Sequence, residues 1–265
     1  MNTAICAIAK YENVYINDWV NYHLNLGFDH IYIYDDNEDD YPYVGDCIDN
    51  KENITIIKFN FENGKDHIKN AESSYDFLIH YAKEYDWVAI IDIDEFIHIN
   101  CDNIKTYLSN APYDCYFIAF TWRIFGDSNI IIGDESVPVY NRLRNDSFSN
   151  ISIYKTIFRV KKDNINYIVQ NPHSLTFNGE DFNYYDSNFN KNYVSPLELN
   201  NCNPDNYDCY IEHYYTKTLS EFIKYKYPRF SKEQGDDPFE YYFIHNKKTP
   251  EKIAYIKEKL NIDIQ

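Results

Sequence analysis

The chain has 265 residues and a formal net charge of -17, with 44% hydrophobic and 25% charged residues. That composition is globular, and the length suits one large domain or two small ones. The acidic balance, without a basic run, excludes a nucleic-acid-binding surface as the main activity, and the lack of about 18 consecutive apolar residues excludes a membrane-spanning helix.

In chain order, the apolar TAICAIA predicts a first strand ending near Ala9. A helix follows over 16–28, with Ile16, Trp19, Val20, Leu24 and Leu26 at helical spacing and Gly27 suited to its C-terminal cap. HIYIYDD predicts a second strand, 37–46 a turn-rich loop, and NITIIKF a third strand. A long helix is expected over 67–85, then a fourth strand, WVAIIDIDEFIHI, over 87–99.

The second half is less regular. CYFIAFTWRIFGD predicts a strand that turns at Gly126, and SIYKTIFRV and INYIVQNPHSLTF predict further strands. The segment 208–230 starts as a strand and becomes a helix, with Thr218 and Glu221 in capping-box spacing. Thr249 and Pro250 open the last helix as N-cap and first residue. No repeat or Gly/Ser/Pro-rich linker divides the chain. The expectation is one α/β domain over 1–265, a mostly parallel sheet flanked by helices.

Six cysteines without a C-x-x-C pair predict free thiols in a reducing cytosol. MNTAICAIAKYEN lacks a basic leader, so the expected location is cytoplasmic. Most of the 28 tyrosines fit an AT-rich coding bias; a few beside a site are candidate sugar platforms.

Three strands end in polar groups: Lys10 and Glu12, Asp35 and Asp36, Asp92 and Asp94. Ligands of open α/β sheets lie at the carboxyl ends of the strands. On a strand, Asp92 and Asp94 point the same way, and two carboxylates so placed repel unless a cation joins them. Hard oxygen ligands suit Mg2+ or Mn2+, which complete their shells with phosphates and water. A solvated turn is the plain structural alternative.

The order KYENVYINDWVNYHLNLGFDHIYIYDD, then WVAIIDIDEF, TWRIFGDS, YKTIFRV, NPHS and EHYYTKTLSEFIKYKYPRF resembles the family-2-like and family-92-like glycosyltransferases of the GT-A fold. Tyr11, Asp18 and the PRF near 229 depart from the usual pattern. The resemblance implies a Rossmann-like GT-A domain, with a nucleotide-sugar half over 1–100 and an acceptor half with C-terminal helices over 101–265. It implies a metal-dependent transferase that moves a sugar from a nucleotide-sugar donor, a UDP-hexose, to a glycan or lipid-linked glycan. A non-catalytic glycan- or nucleotide-binding module is the alternative.

Carried over residue by residue, the resemblance implies that Ala9, Lys10, Glu12, Asp35, Asp36, Asp92 and Lys217 bind the nucleotide sugar, and that Asp92, Asp94 and His213 hold Mn2+ or Mg2+. Glu95 supports them, His173 is a rival ligand, and Lys226 is a second candidate for neutralising the diphosphate. An inverting reaction needs a base; Asp127 is placed ahead of Glu180 and Asp181, with Glu212 turned away, and a retaining reaction needs none. Trp122, Tyr214 and Tyr215 are candidate sugar platforms or core. The implied setting is bacterial or viral surface-polysaccharide assembly, such as capsule or lipooligosaccharide, at the inner face of the membrane. FIKYKYPRF is a candidate docking helix there, or a plain amphipathic helix.

Overall fold

The computed structural model describes residues 1–59, 66–144, 147–148, 153–161, 167–171, 174–177, 183–192, 208–228 and 237–262. The chain separates into two compact units. One takes in Met1–Trp122 and Ser149–Glu212, the other Arg123–Phe148 and His213–Gln265. They interleave along the sequence.

The first unit opens with strand β1 (Thr3–Ala9), helix α1 (Asn13–Asn25), β2 (His30–Asp35), β3 (Ile54–Lys58) and α2 (Asp66–His80). Strands β4 (Trp87–Ile90) and β5 (Glu95–His98), α3 (Ile104–Ser109) and β6 (Phe117–Phe125) follow. Strands β3, β2, β1 and β4 lie side by side and parallel. That is the arrangement expected of alternating strands and helices. Their apolar runs are buried, as in Ala4, Ile5, Ile31, Ile33, Val88 and Ala89.

Two features depart from the sequence reading. The segment 87–99 is two strands, not one. Asp92–Asp94 fall between β4 and β5, where the Glu95 N–H donates to the Asp92 carbonyl at 3.1 Å. A strand held at the centre of a sheet has no water for a row of carboxylates, so the chain turns. The same-face argument for Asp92 and Asp94 therefore does not apply.

The second departure is an antiparallel strand set into the sheet. After α4 (Val139–Arg142) and the short β7 (Ser147–Phe148), β8 (Tyr154–Arg159) runs antiparallel to both β4 and β6. A hairpin of β9 (Tyr167–Asn171) and β10 (Ser174–Phe177) follows. Next, β11 (Tyr184–Asp186) pairs parallel with β6, and β12 (Lys191–Asn192) closes that edge. Strand β13 (Tyr210–His213) pairs with β5.

Gly27 follows α1 with φ +102°, a conformation side chains rarely adopt, and so ends the helix as expected.

The second unit ends in α5 (Leu219–Glu221), which continues as a π-turn over Phe222–Lys226, then α6 (Pro238–Ile244) and α7 (Pro250–Leu260). Both expected helix starts are present. The Thr218–Glu221 capping box forms, and Thr249 accepts the Lys252 N–H with Pro250 inside the first turn. Phe222 packs with Leu219, Phe239, Tyr242 and Ile256, so this helix spends its apolar face on its own unit's core. Among the described residues no helix is long and apolar enough to cross a membrane.

Glu221 has a second task. Arg142 grips its carboxylate with two hydrogen bonds, 2.7 and 2.5 Å, and its side chain is fully buried. Gly133 lies against this pair: a Cβ there would meet Arg142 Nη1 and Glu221 Oε2 at 2.7 Å and Thr218 Cγ2 at 2.9 Å. Gly133→Ala is expected to push the pair apart and cost about 1–3 kcal/mol, read by denaturant unfolding. A neutral result would mean that the loop yields instead.

Candidate functional site

The site is built on the strand ends of the first unit. At the end of β1, the Ala9 carbonyl accepts the Asp36 N–H at 2.9 Å, which fixes the acid that follows β2. The Asp36 carboxylate then pairs with Lys69 of α2 at 2.8 Å and with Lys10 at 3.7 Å. Tyr11 turns the chain with φ 58°, and its N–H donates to Asn37 Oδ1 at 2.8 Å. Buried Asn37 also donates from Nδ2 to Asn13 Oδ1 at 2.9 Å, and its carbonyl accepts from Lys58 at 2.6 Å. The loops after β1 and β2 are thereby held together, and Lys10, Asp35 and Asp36 are gathered as expected. Glu12 is the N-cap residue of α1 and is buried, although its side chain makes no capping bond.

Asp35 is 1% exposed; its Oδ1 accepts the Asn37 N–H at 3.1 Å, while its buried Oδ2 has no hydrogen-bond partner among the described residues. A buried orphan acceptor is costly, and a ligand N–H is one group that would satisfy it.

The acid turn is supported from beneath. Lys155 of β8 is 1% exposed, with its Nζ 2.8 Å from Asp92 Oδ2 and 3.6 Å from Glu95 Oε2. Glu95 Oε2 also accepts the Asp92 N–H at 3.0 Å. Burial pushes the Glu95 carboxyl well up; Lys155 opposes this, and Asp92 adds to it. Burial works against the Lys155 ammonium, but Asp92 and Glu95 outweigh it and its pKa is raised. The pair is thus a charged lysine on Asp92 beside a carboxyl biased towards its neutral form. Asp92 is the member that meets solvent, its side chain 33% exposed. It faces a small cleft lined by Cys6, Asn70, Ser73, Ser74 and Lys155 among others.

Lys155 escaped the sequence reading. Its signal was a lysine inside the apolar strand YKTIFR.

A second group of residues steadies the acid turn from α1. Trp19, Tyr22 and His23 share one helix face. The Trp19 indole N–H donates to the Glu95 carbonyl at 2.7 Å and the Tyr22 hydroxyl to the Ile97 carbonyl at 3.0 Å. His23 Nδ1 lies 2.9 Å from the Trp19 carbonyl, and its Nε2 accepts the Ile97 N–H at 3.3 Å. Neutral imidazole with the proton on Nδ1 satisfies both bonds. The W-x-x-Y-H spacing is therefore a clamp on β5.

Burial pushes the His23 pKa down to about 3, against the Trp19 carbonyl that favours the charged form. A histidine depressed in the fold contributes stability that is present above its ordinary pKa near 6.5. That stability is lost as pH falls towards 3. The expected slope is up to ~1.4 kcal/mol per pH unit, measured by denaturant unfolding at several pH values. His23→Phe should flatten it; an unchanged slope would assign the effect elsewhere.

Asp94 is buried, at 6% exposure, on the same turn. Its hard carboxylate fits Mg2+ or Mn2+. Asp92 is the poorer ligand, because its Oδ2 already bonds an ammonium. Among the described residues no group of three or more His, Cys, Asp or Glu side chains forms a ready metal cage. His213 belongs to the second unit, 2% exposed, its ring edge-on to Tyr215 at 5.2 Å.

The remaining candidates divide. In the second unit, buried Asp127 is consumed by structure. Its Oδ2 accepts from the Tyr242 hydroxyl at 2.5 Å and pairs with Lys252, its Oδ1 accepts the Asn129 N–H at 2.8 Å, and its own N–H donates to Asn246. A carboxylate held in this way is poorly placed to take a proton from an acceptor. Buried Lys217 has φ 55°, and Lys226 stands 4.1 Å over the Tyr215 ring. Tyr214 is fully buried and stacked on Phe125, a core role rather than a sugar platform. In the first unit Trp122 is 8% exposed, and Glu212 lies 3.7 Å from His98. His173, Glu180 and Asp181 lie outside the described residues.

A glycosyltransferase family 92 protein of Ricinus communis is 29% identical over 133 residues, covering 48% of this chain and 23% of the relative. One from Oryza sativa subsp. japonica is 29% identical over 97 residues, covering 36% of this chain and 16% of the relative. The matched segments thus span less than a quarter of either plant protein. A mannosyltransferase structure from S. cerevisiae, Ktr4p, aligns over 48% of this chain and 40% of its own, at 12% identity and a TM-score of 0.27, too low to carry an argument. The family model for Glycosyltransferase family 92 matches residues 3–262, so the chain belongs to glycosyltransferase family 92.

Proposed function

We propose that the chain transfers a sugar from a nucleotide-sugar donor, a UDP-hexose, to a glycan or lipid-linked glycan acceptor. The observation that carries this is Asp35 Oδ2, a buried acceptor at the end of β2 without a partner among the described residues, in the family 92 frame. The uracil N–H is a group that would complete it. Lys10 and Asp36 follow the ends of β1 and β2, 3.7 Å apart, and Asp92 offers a carboxylate to the nucleotide from the cleft beside β1.

Mn2+ or Mg2+ is the proposed cofactor, with Asp94 its ligand on the acid turn. When bound, the cation supplies Lewis-acid stabilisation of the departing diphosphate. The chain's own residues orient the donor. Lys155 and Glu95 fix Asp92, and the α1 clamp fixes β5. With Asp127 committed to Lys252, the base of an inverting reaction would be Glu180 or Asp181. The proposed setting is surface-polysaccharide assembly in the cytoplasm at a membrane face, with lipid-linked acceptors drawing the enzyme there.

The test is thermal unfolding with UDP and Mn2+ together, followed by a screen of nucleotide sugars for metal-dependent hydrolysis. A raised melting temperature that Asp94→Ala abolishes is expected. No shift with any nucleoside diphosphate would sink the reading. UDP binding with every donor left intact would favour the non-catalytic module.

A further inference from the structure

We propose that Lys155 is a positioning residue that serves as the resident counter-cation of Asp92, taking that carboxylate out of metal ligation and holding it for the nucleotide sugar. The inference rests on the transferase reading for its second half only.

The geometry is layered. Lys155 and Glu95 are buried behind the turn, at 1% and 0% side-chain exposure, and Asp92 stands in front at 33%. Lys155 lies on β8, the strand set between β4 and β6, and its register partner is the fully buried Phe120 of β6. An unpaired ammonium there would be heavily penalised, and an apolar side chain of equal length would fill the same space. The charge is accounted for by what it meets. It bonds Asp92 Oδ2 at 2.8 Å and approaches Glu95 Oε2 at 3.6 Å, while the Trp122 ring lies 6.0 Å away. Glu95 completes the grip by accepting the Asp92 N–H. Both the backbone and the side chain of Asp92 are therefore set by buried groups, with the carboxylate turned to the cleft shared with Ser73, Ser74 and Asn70.

A divalent cation approaching Asp92 meets an ammonium already bonded to it. Like charges that close repel strongly at the effective dielectric of a protein. The cation is left to Asp94, and Asp92 to hydrogen bonding.

Mn2+ binding without nucleotide, followed by the electron paramagnetic resonance of the free ion, tests this directly. Asp92→Asn is expected to leave the Mn2+ affinity within about twofold, whereas Asp94→Asn weakens it more than tenfold. Lys155→Met is expected to tighten Mn2+ about tenfold, because Asp92 loses its counter-cation; Lys155→Met with Asp92→Asn returns it towards the native value. UDP affinity, measured separately, should fall about tenfold in both Lys155→Met and Asp92→Asn. Equal loss of Mn2+ in Asp92→Asn and Asp94→Asn overturns the proposal, as does an unchanged affinity in Lys155→Met. If Lys155→Met does not fold, the two aspartate variants still decide. A native chain that binds no UDP but shows the Mn2+ pattern would refute the donor reading and leave the role of Lys155 standing.

Discussion

Asp127→Ala is expected to destabilise the second unit by about 3–5 kcal/mol, because it leaves the Lys252 ammonium buried without its carboxylate. The Lys252 side chain is 1% exposed, and it also donates to the Lys247 carbonyl at 3.0 Å. Tyr242 loses its acceptor as well; burial and then Asp127 push its phenol far up, so it stays a donor at every relevant pH. The measurement is denaturant unfolding combined with hydrogen exchange on α6 and α7, which carry Tyr242 and Lys252. The result also bears on catalysis. A general base removed by Asp127→Asn would end transfer while the melting temperature held. The structural role predicts lost stability, with any residual folded enzyme still active.

Trp19→Ala is the second large effect, at about 3–5 kcal/mol for a fully buried indole. Part of that is volume and part is the Glu95 carbonyl left without its N–H. Trp19→Phe separates the two: it keeps most of the ring and is expected to cost about 1–3 kcal/mol for the stranded acceptor. Chemical denaturation reads the stability, and UDP binding reads whether the acid turn has shifted. Equal losses in both variants would mean that the hydrogen bond, not the packing, carries the anchor.

The elements were legible wherever one period dominated. Alternating strands and helices over the first hundred residues predicted the parallel run from β3 to β4. The caps at Gly27, Thr218 and Thr249 lie where turn chemistry put them. The reading failed at 87–99 because an apolar run on both sides of three acids has the same local pattern whether or not the chain turns between them. It also placed Asp127 first among the candidate bases. Its partners Tyr242 and Lys252 lie more than a hundred residues later, and no local rule links them. Lys155 was lost for the same reason, its partner lying 63 residues upstream. The strand-end acids could be read because a parallel sheet brings the ends of its strands to one side. The W-x-x-Y-H spacing was visible as helix periodicity, but its use as a clamp needed β5 to be in place.

The antiparallel insertion of β8 also sets an order of assembly. Residues 1–122 can form β1 to β4 during synthesis, but β4 then presents an open edge and the acid turn has no ammonium beneath it. Such edges invite pairing with other chains. Closure waits for residues 154–159, a long-range step that slows folding. A chain stopped near residue 122 is thus expected to be prone to aggregation, and the charge that completes the turn arrives together with the strand that seals the edge.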